Sequence, residues 1–495
     1  MNSNVIIRKL VTGLAGFDDV LGGGIPELSL NIISGAPGSG KTTLAHQIMF
    51  ALSQPDCRSL FFSVIGEPAL KMLRYQQQFS FFDTEKVKRS IRFINLASEL
   101  SNDDYNDVLI RINAAVKDFN PRFVFLDSFR SIVVGSNAMQ KREADLWQFV
   151  HNLGQQMVHW KATTFLVGEY FVNDQFLTPV MSVADGVIML TQHLQRNSIL
   201  RKMQVVKMRG QAHSLGLHTF RISASGLTIF PRAMSSLEGA GTNGQLGDVA
   251  SKRLSMGVPE LDQMLGGGLP SGHSLLLVGS SGSGKTVLST RFIAEGVSRG
   301  EPGIIVTFEK SPRQFLSQKF QDLLKSGKFA MLETSNLDLS IDEIMYDLKA
   351  LIKKLGAKRV VIDSLSGFEL ALAPEFREDF RISLYRLTSV LSAMGVTIVM
   401  TAELEDRYID LRFSAYGNAF LADAIMLQRY IQIEGEFKRA ISVIKVRGSA
   451  HSKEIRLFDI VGDDIVLGES LSNYEGIFSG SPIFQGQKQA FEGRS

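Results

Sequence analysis

Two stretches, GAPGSGKTT at residues 35–43 and GSSGSGKTV at residues 279–287, carry the residue types that hold phosphate. Their glycines let backbone N–H groups approach phosphate oxygens without a Cβ in the way. A lysine (Lys41, Lys285) neutralises β/γ charge, and a threonine (Thr42, Thr286) offers a hydroxyl to Mg²⁺. Each stretch follows an apolar β-rich run and opens a helical pattern, the placement that a phosphate loop requires. A nucleoside triphosphate is the ligand this chemistry fits. It would be bound by Gly35, Gly38, Ser39, Gly40, Lys41, Thr42 and Thr43 in one site, and by Gly279, Gly282, Ser283, Gly284, Lys285, Thr286 and Val287 in the other.

Downstream of each loop an apolar run ends in aspartate, FVFLD at Asp127 and RVVID at Asp363. A carboxylate at the mouth of a parallel sheet holds the Mg²⁺ shell, so Thr42 with Asp127 and Thr286 with Asp363 are the expected metal residues. Hydrolysis also needs a carboxylate to orient water, expected at the end of the strand after the loop helix. IIVTFEKSP places Glu309 there directly. LFFSVIGEP has Ile65 and Gly66 where acids are wanted and reaches a carboxylate only at Glu67, which reads equally as a water-orienting acid or a solvated loop glutamate. The first site is expected to hydrolyse more slowly than the second.

These residues recur because the chain repeats itself. TGLAGFDDVLGGGIPELSLNIISGAPGSGKTT from Thr12 returns as MGVPELDQMLGGGLPSGHSLLLVGSSGSGKTV from Met256, and VVKMRGQAH around Lys207 returns as VIKVRGSAH around Lys445. So long a period marks a duplicated domain, not a solenoid. In each copy short apolar runs alternate with helical patterns (LSLNIIS, TLAHQIMFAL, SLFFSV, DVLIRINAAVKDF and RFVFLD in the first), which predicts an α/β fold with a mostly parallel sheet. The expected division is a first domain at 1–234, a glycine-rich polar linker at 235–252, a second domain at 253–473 and a mobile tail at 474–495.

Composition narrows the partners. With 495 residues, 44% hydrophobic and 21% charged, there is material for two or more cores. Lys and Arg number 53 against 50 Asp and Glu, so nucleic acid is not indicated. The single cysteine, Cys57, excludes an intrachain disulfide and a cysteine-rich metal site. MNSNVIIRKLV is no secretory leader, and no run approaches the roughly 18 apolar residues of a membrane span, so a cytoplasmic protein without membrane contact is expected.

Over nearly its whole length the sequence resembles the KaiC family of double-domain RecA-like ATPases. The resemblance rests on both LGGG segments, both phosphate loops, LDS and IDS, KMRG and KVRG, GEFKRAISVIKVRG, and FSGSPI near the C-terminus. It implies tandem RecA-like P-loop domains, ATP and Mg²⁺ as cofactors, and a homohexamer with ATP at subunit interfaces. Lys207, Arg209, Lys445 and Arg447 would then reach a neighbour's nucleotide, with His213, Arg439 and His451 nearby. The bland alternative is that these are solvated strand-end cations and satisfied loop histidines.

The sequence departs from the family at the autophosphorylated Ser-Thr pair, which falls on Ala419 and Phe420, and at the paired acids, where Lys310 follows Glu309. Nearby Ser414 and Tyr416 read as alternative acceptors or as surface-loop residues. An ATP-driven signalling or assembly switch, read by a protein partner of unknown identity, therefore ranks first. A clock-type Ser/Thr autokinase ranks second and a RecA-type DNA motor third.

Overall fold

The computed structural model describes residues 7–64, 69–97, 105–128, 151–156, 159–169, 178–195, 198–232, 252–308, 318–334, 339–373, 376–377, 380–404, 421–477 and 483–484. The chain divides into two units, Met1–Ser235 and Ser236–Ser495.

In the first unit the loop strand Leu30–Gly35 is buried along its whole length. Ile32 packs into a cluster with Val124, Leu166 and Ile112, while Ile33 packs into another with Leu44, Ile48 and Phe165. A strand covered on both faces reads as a continuous apolar run, which is why LSLNIIS does not alternate. Each such side chain contributes about 1.5–3 kcal/mol through burial. The sheet has nine strands. Ile91–Asn95, Ser59–Ser63, the aspartate strand Phe123–Asp127, Thr163–Gly168, the loop strand and Gly186–Gln195 run parallel in that order. Ser198–Met208, His218–Ser223 and Gly226–Phe230 then extend it antiparallel, an addition that strand–helix alternation did not announce.

The second unit repeats the order: Phe329–Glu333, Gly303–Thr307, the aspartate strand Arg359–Asp363, Thr397–Glu403, the loop strand Ser274–Gly279 and Ala424–Ile433 are parallel. Glu436–Val446, Ile455–Val461 and Asp464–Ser470 complete nine strands antiparallel. Within the expected tail, Tyr474–Glu475 pairs with Ile483–Phe484, and Ile477 is buried with Leu471, Ile431 and Ile433. Apolar residues spaced through that glycine- and serine-rich stretch give it something to pack.

The copies differ in how they fill the same space. Across the first sheet Phe61, Phe125 and Phe165 lie side by side, Phe125 and Phe165 stacked with centroids 4.6 Å apart. The second sheet has Ile305, Val361 and Val399 in those registers. His46, on the loop helix Lys41–Leu52, continues the aromatic column, stacked on Phe61 at 4.5 Å. It is fully buried and neither ring nitrogen has a hydrogen-bond partner. Burial holds its pKa down at about 3.

Between that value and the roughly 6.5 of an exposed imidazole, the unfolded chain takes up a proton that the folded chain refuses, so stability falls as pH drops. Both tryptophans, Trp147 and Trp160, belong to the first unit, so intrinsic fluorescence follows its unfolding selectively. Urea transitions at pH 7 and pH 5 are expected to show His46→Leu losing about 2 kcal/mol less stability than the native chain over that interval. Equal losses would contradict a neutral buried His46.

Candidate functional site

Each phosphate loop turns into its helix through a glycine in the left-handed region, Gly40 at φ 99° and Gly284 at φ 101°. A Cβ on Gly40 would stand 2.8 Å from Ile222 Cδ1, and one on Gly284 2.7 Å from Ile460 Cδ1, so any other residue would strain the backbone and meet the core. The glycines thus bring the first turn of the helix, with its unpaired N–H groups, to the carboxyl edge of the parallel strands. Ser39 and Ser283 sit buried within the loops, and among the described residues their hydroxyls have no hydrogen-bond partner. Gly35 and Gly279 end the loop strands, and Gly38 and Gly282 take φ 75° at the bends. Thr43 is half-buried, and Val287 packs against the core.

Each lysine bonds to carbonyls of its own loop. Lys41 Nζ donates to the Ala36 carbonyl at 2.9 Å, and Lys285 Nζ to those of Gly279 and Ser280 at 2.8 and 2.9 Å. Burial lowers the pKa of both. Glu169 and Asp127 oppose this at Lys41, and Glu403 and Asp363 at Lys285. Beside each lysine the threonine hydroxyl meets the strand-end aspartate: Thr42 Oγ1 donates to Asp127 Oδ2 at 2.6 Å and Thr286 Oγ1 to Asp363 Oδ2 at 2.8 Å. Burial pushes the Asp127 carboxyl up, and the Thr42 hydrogen bond and the Lys41 charge pull it back. A hydroxyl and a carboxylate in contact, next to an ammonium and a helix N-terminus, are the hard oxygen donors that Mg²⁺ takes together with phosphate.

Glu67 and Glu309, expected to orient water, lie outside the described residues, as do Ala419, Phe420, Ser414 and Tyr416. The expected interface cations divide. Strand register places Lys207 opposite Val187 and Lys445 opposite Ile425, near the start of parallel strands that meet Gly35 and Gly279 only at Leu190 and Gln428, three residues further on. Lys207 donates to the Met181 and Ser182 carbonyls, and Lys445 to that of Ala422. Arg209 pairs with Asp185, and Arg447 with Asp423. Half-buried His213 and His451 follow in the adjoining turns, where Ser214 and Ser452 bond back to Val20 and Met264. All six residues therefore occupy the sheet edge opposite their own copy's loop.

Arg439 parts from this group. It pairs with Tyr430, over whose ring its guanidinium lies at 5.4 Å, and Tyr430 donates to the Gly282 carbonyl, so Arg439 sits on the loop side of the second sheet. Arg439 and Lys445 lie on one extended strand, Glu436–Val446, which runs from the loop side toward the opposite edge, so residues only six apart in sequence are separated by the strand's length. Sequence reasoning missed Glu169 and Glu403, whose recurrence at the same strand end in LVGEY and MTAEL was the available signal. It also missed Thr401, which donates to Asp363 Oδ1 at 2.5 Å.

A family model described as ATPase: KaiC matches residues 10–234 and 254–472. The chain is 27% identical over 495 residues to the circadian clock oscillator protein KaiC of Prochlorococcus marinus (strain MIT 9313), covering 97% of both chains. It is 28% identical to the circadian clock oscillator protein KaiC 1 of Synechocystis sp., covering 96% of this chain and 92% of the relative. With the circadian clock protein KaiC3 of Synechocystis sp. it shares 28% identity over 98% of its own length and 96% of the relative's. Among the described residues, no helix is long and apolar enough to cross a membrane.

If both loops hold nucleotide, equilibrium dialysis with ATP and Mg²⁺ should find two bound per native chain and one for either Lys41→Ala or Lys285→Ala. Loss of a charged hydrogen bond weakens the altered site about 10- to 100-fold. Two nucleotides retained by the double variant would overturn the assignment.

Proposed function

The chain belongs to the KaiC family of ATPases, and from that premise we propose that it binds and hydrolyses ATP with Mg²⁺ at both loops. It works as a homohexameric switch read by a protein partner, without stable self-phosphorylation at the clock position. The observation that carries the catalytic part is the pairing of loop threonine with strand-end aspartate, made independently in both copies.

Substrate binding draws Lys41 and Lys285 off their loop carbonyls onto the β/γ-phosphates, while the helix N-termini and loop amides cradle the remaining oxygens. Mg²⁺, when bound, neutralises charge on the β- and γ-phosphate oxygens. Thr42 with Asp127, and Thr286 with Asp363, would hold it, their hydroxyl and carboxylate oxygens being the hard donors that this cation prefers. Glu309 orients the attacking water in the second site. Ile65 and Gly66 leave the first site without a strand-end acid at that place, so its turnover is slower.

Assembly into a ring is supported by the position of the four expected interface cations. Lys207, Arg209, Lys445 and Arg447 lie across the sheet from their own copy's loop, so a nucleotide they contact would be one held elsewhere than in that loop. Cations delivered across an interface stabilise developing phosphate charge as arginine fingers do, and they couple hydrolysis to ring conformation. The relatives are circadian clock proteins by name. Ala419 and Phe420, however, offer no oxygen to accept a phosphoryl group, and water is the remaining nucleophile.

Incubation with ATP and Mg²⁺, followed by phosphate-release, native-mass and intact-mass measurements, tests all of this together. Phosphate release by hexamers with no covalent mass gain is expected, with Glu309→Gln slowing release about 100-fold or more. A stoichiometric phosphate mapping to residues 414–423 would make the chain an autokinase instead. Absence of both release and assembly would refute the proposal.

A further inference from the structure

The two sites differ in how firmly the metal-side aspartate is held. Thr286 reaches Asp363 Oδ2 at 2.8 Å from the loop helix, while Thr401 reaches Oδ1 at 2.5 Å from the neighbouring strand Thr397–Glu403. Thr401 is completely buried, and its approach to the Ile362 carbonyl is 3.5 Å, which leaves Asp363 as its principal acceptor. Two donors on the two oxygens, one from each side, fix both the position of the carboxylate and the rotation of its plane.

In the first copy the residue directly across from Asp127 is Val167, equally buried and nearly the same shape. It has no hydroxyl to give, so among the described residues the side-chain donor to this carboxylate is Thr42, from the loop helix. The surrounding strands keep the same register, with Val167 paired to Ile33 and Thr401 to Leu277 of the two loop strands. At this position itself the two copies thus differ by the hydroxyl, with the backbone register unchanged.

We propose that Thr401 is a positioning residue that pre-aligns Asp363 for Mg²⁺, so that the second site couples metal to nucleotide more strongly than the first. This rests on the metal role given above to Asp363. A preset carboxylate has less orientational freedom to lose when Mg²⁺ arrives, so the gain appears in metal-dependent binding specifically.

The quantity to measure is the ratio of ATP affinities with Mg²⁺ and with EDTA, obtained by calorimetry on the full chain. The second site is isolated in a Lys41→Ala background and the first in a Lys285→Ala background. Thr401→Val should reduce the second-site ratio about fivefold, the equilibrium equivalent of one net hydrogen bond, and Thr401→Ser should retain it. Val167→Thr should raise the first-site ratio by a similar factor. Because Val167→Thr adds a hydroxyl instead of removing one, it decides the matter even if Thr401→Val fails to fold. Asp363→Asn separates the two levels: if it leaves the Mg²⁺ ratio intact, the metal assignment fails. If it collapses the ratio while Thr401→Val and Val167→Thr leave theirs unmoved, the role of Thr401 alone is overturned.

Discussion

The hydrogen bond from loop threonine to strand-end aspartate is the contact around which each unit is arranged. Thr42 belongs to the helix that leaves the loop strand, and Asp127 ends a strand separated from the loop strand by Thr163–Gly168. Only a parallel sheet, with the intervening strand contributed from later in the chain, brings those two ends to one edge at hydrogen-bond distance. Burial on both faces keeps the strands in register: a slip of one residue would turn Ile32 and Ile33 to each other's clusters and carry Asp127 away from Thr42. Packing of the core and geometry of the site are one constraint here.

The opposite edge has its own logic. Lys207, Arg209, Lys445 and Arg447 hang from antiparallel strands that return from the loop side, and neighbouring carbonyls and aspartates hold each of them. In the isolated chain, both the loop lysines and the far-edge cations are thus occupied with local acceptors. The proposed engagement with phosphate would exchange one set of charge-assisted bonds for another, with a net gain smaller than a count of new contacts suggests.

Much of this was legible in the sequence because it depends on short-range signals. Glycine spacing, a lysine–threonine pair at a helix start and an aspartate at the end of an apolar run identify Lys41, Thr42 and Asp127 without any tertiary information, and the duplication repeats them. The parallel core followed from strand–helix alternation. Pairing direction and register were hidden. The antiparallel extension, the separation of Arg439 from Lys445, and the meeting of Thr401 with Asp363 each depend on which strands become neighbours. A buried threonine in an apolar strand looks like any other β-branched residue until its cross-strand partner is known. Arg359 is a similar case: charged in sequence, it is wholly buried against Glu301 and the Phe292 carbonyl.

The unequal filling of the two cores bears on how a tandem repeat avoids entangling with itself. Adjacent domains of one ancestry and one strand order invite exchange of strands between copies during folding. Here a strand that entered the wrong sheet would set Phe125 where Val361 belongs, or Val399 where Phe165 belongs, overfilling one interior and hollowing the other. Either error costs a few kcal/mol for each misplaced ring. Divergence of the aromatic column from its aliphatic counterpart therefore sets a packing penalty against exchanging a strand of one half for its sibling's.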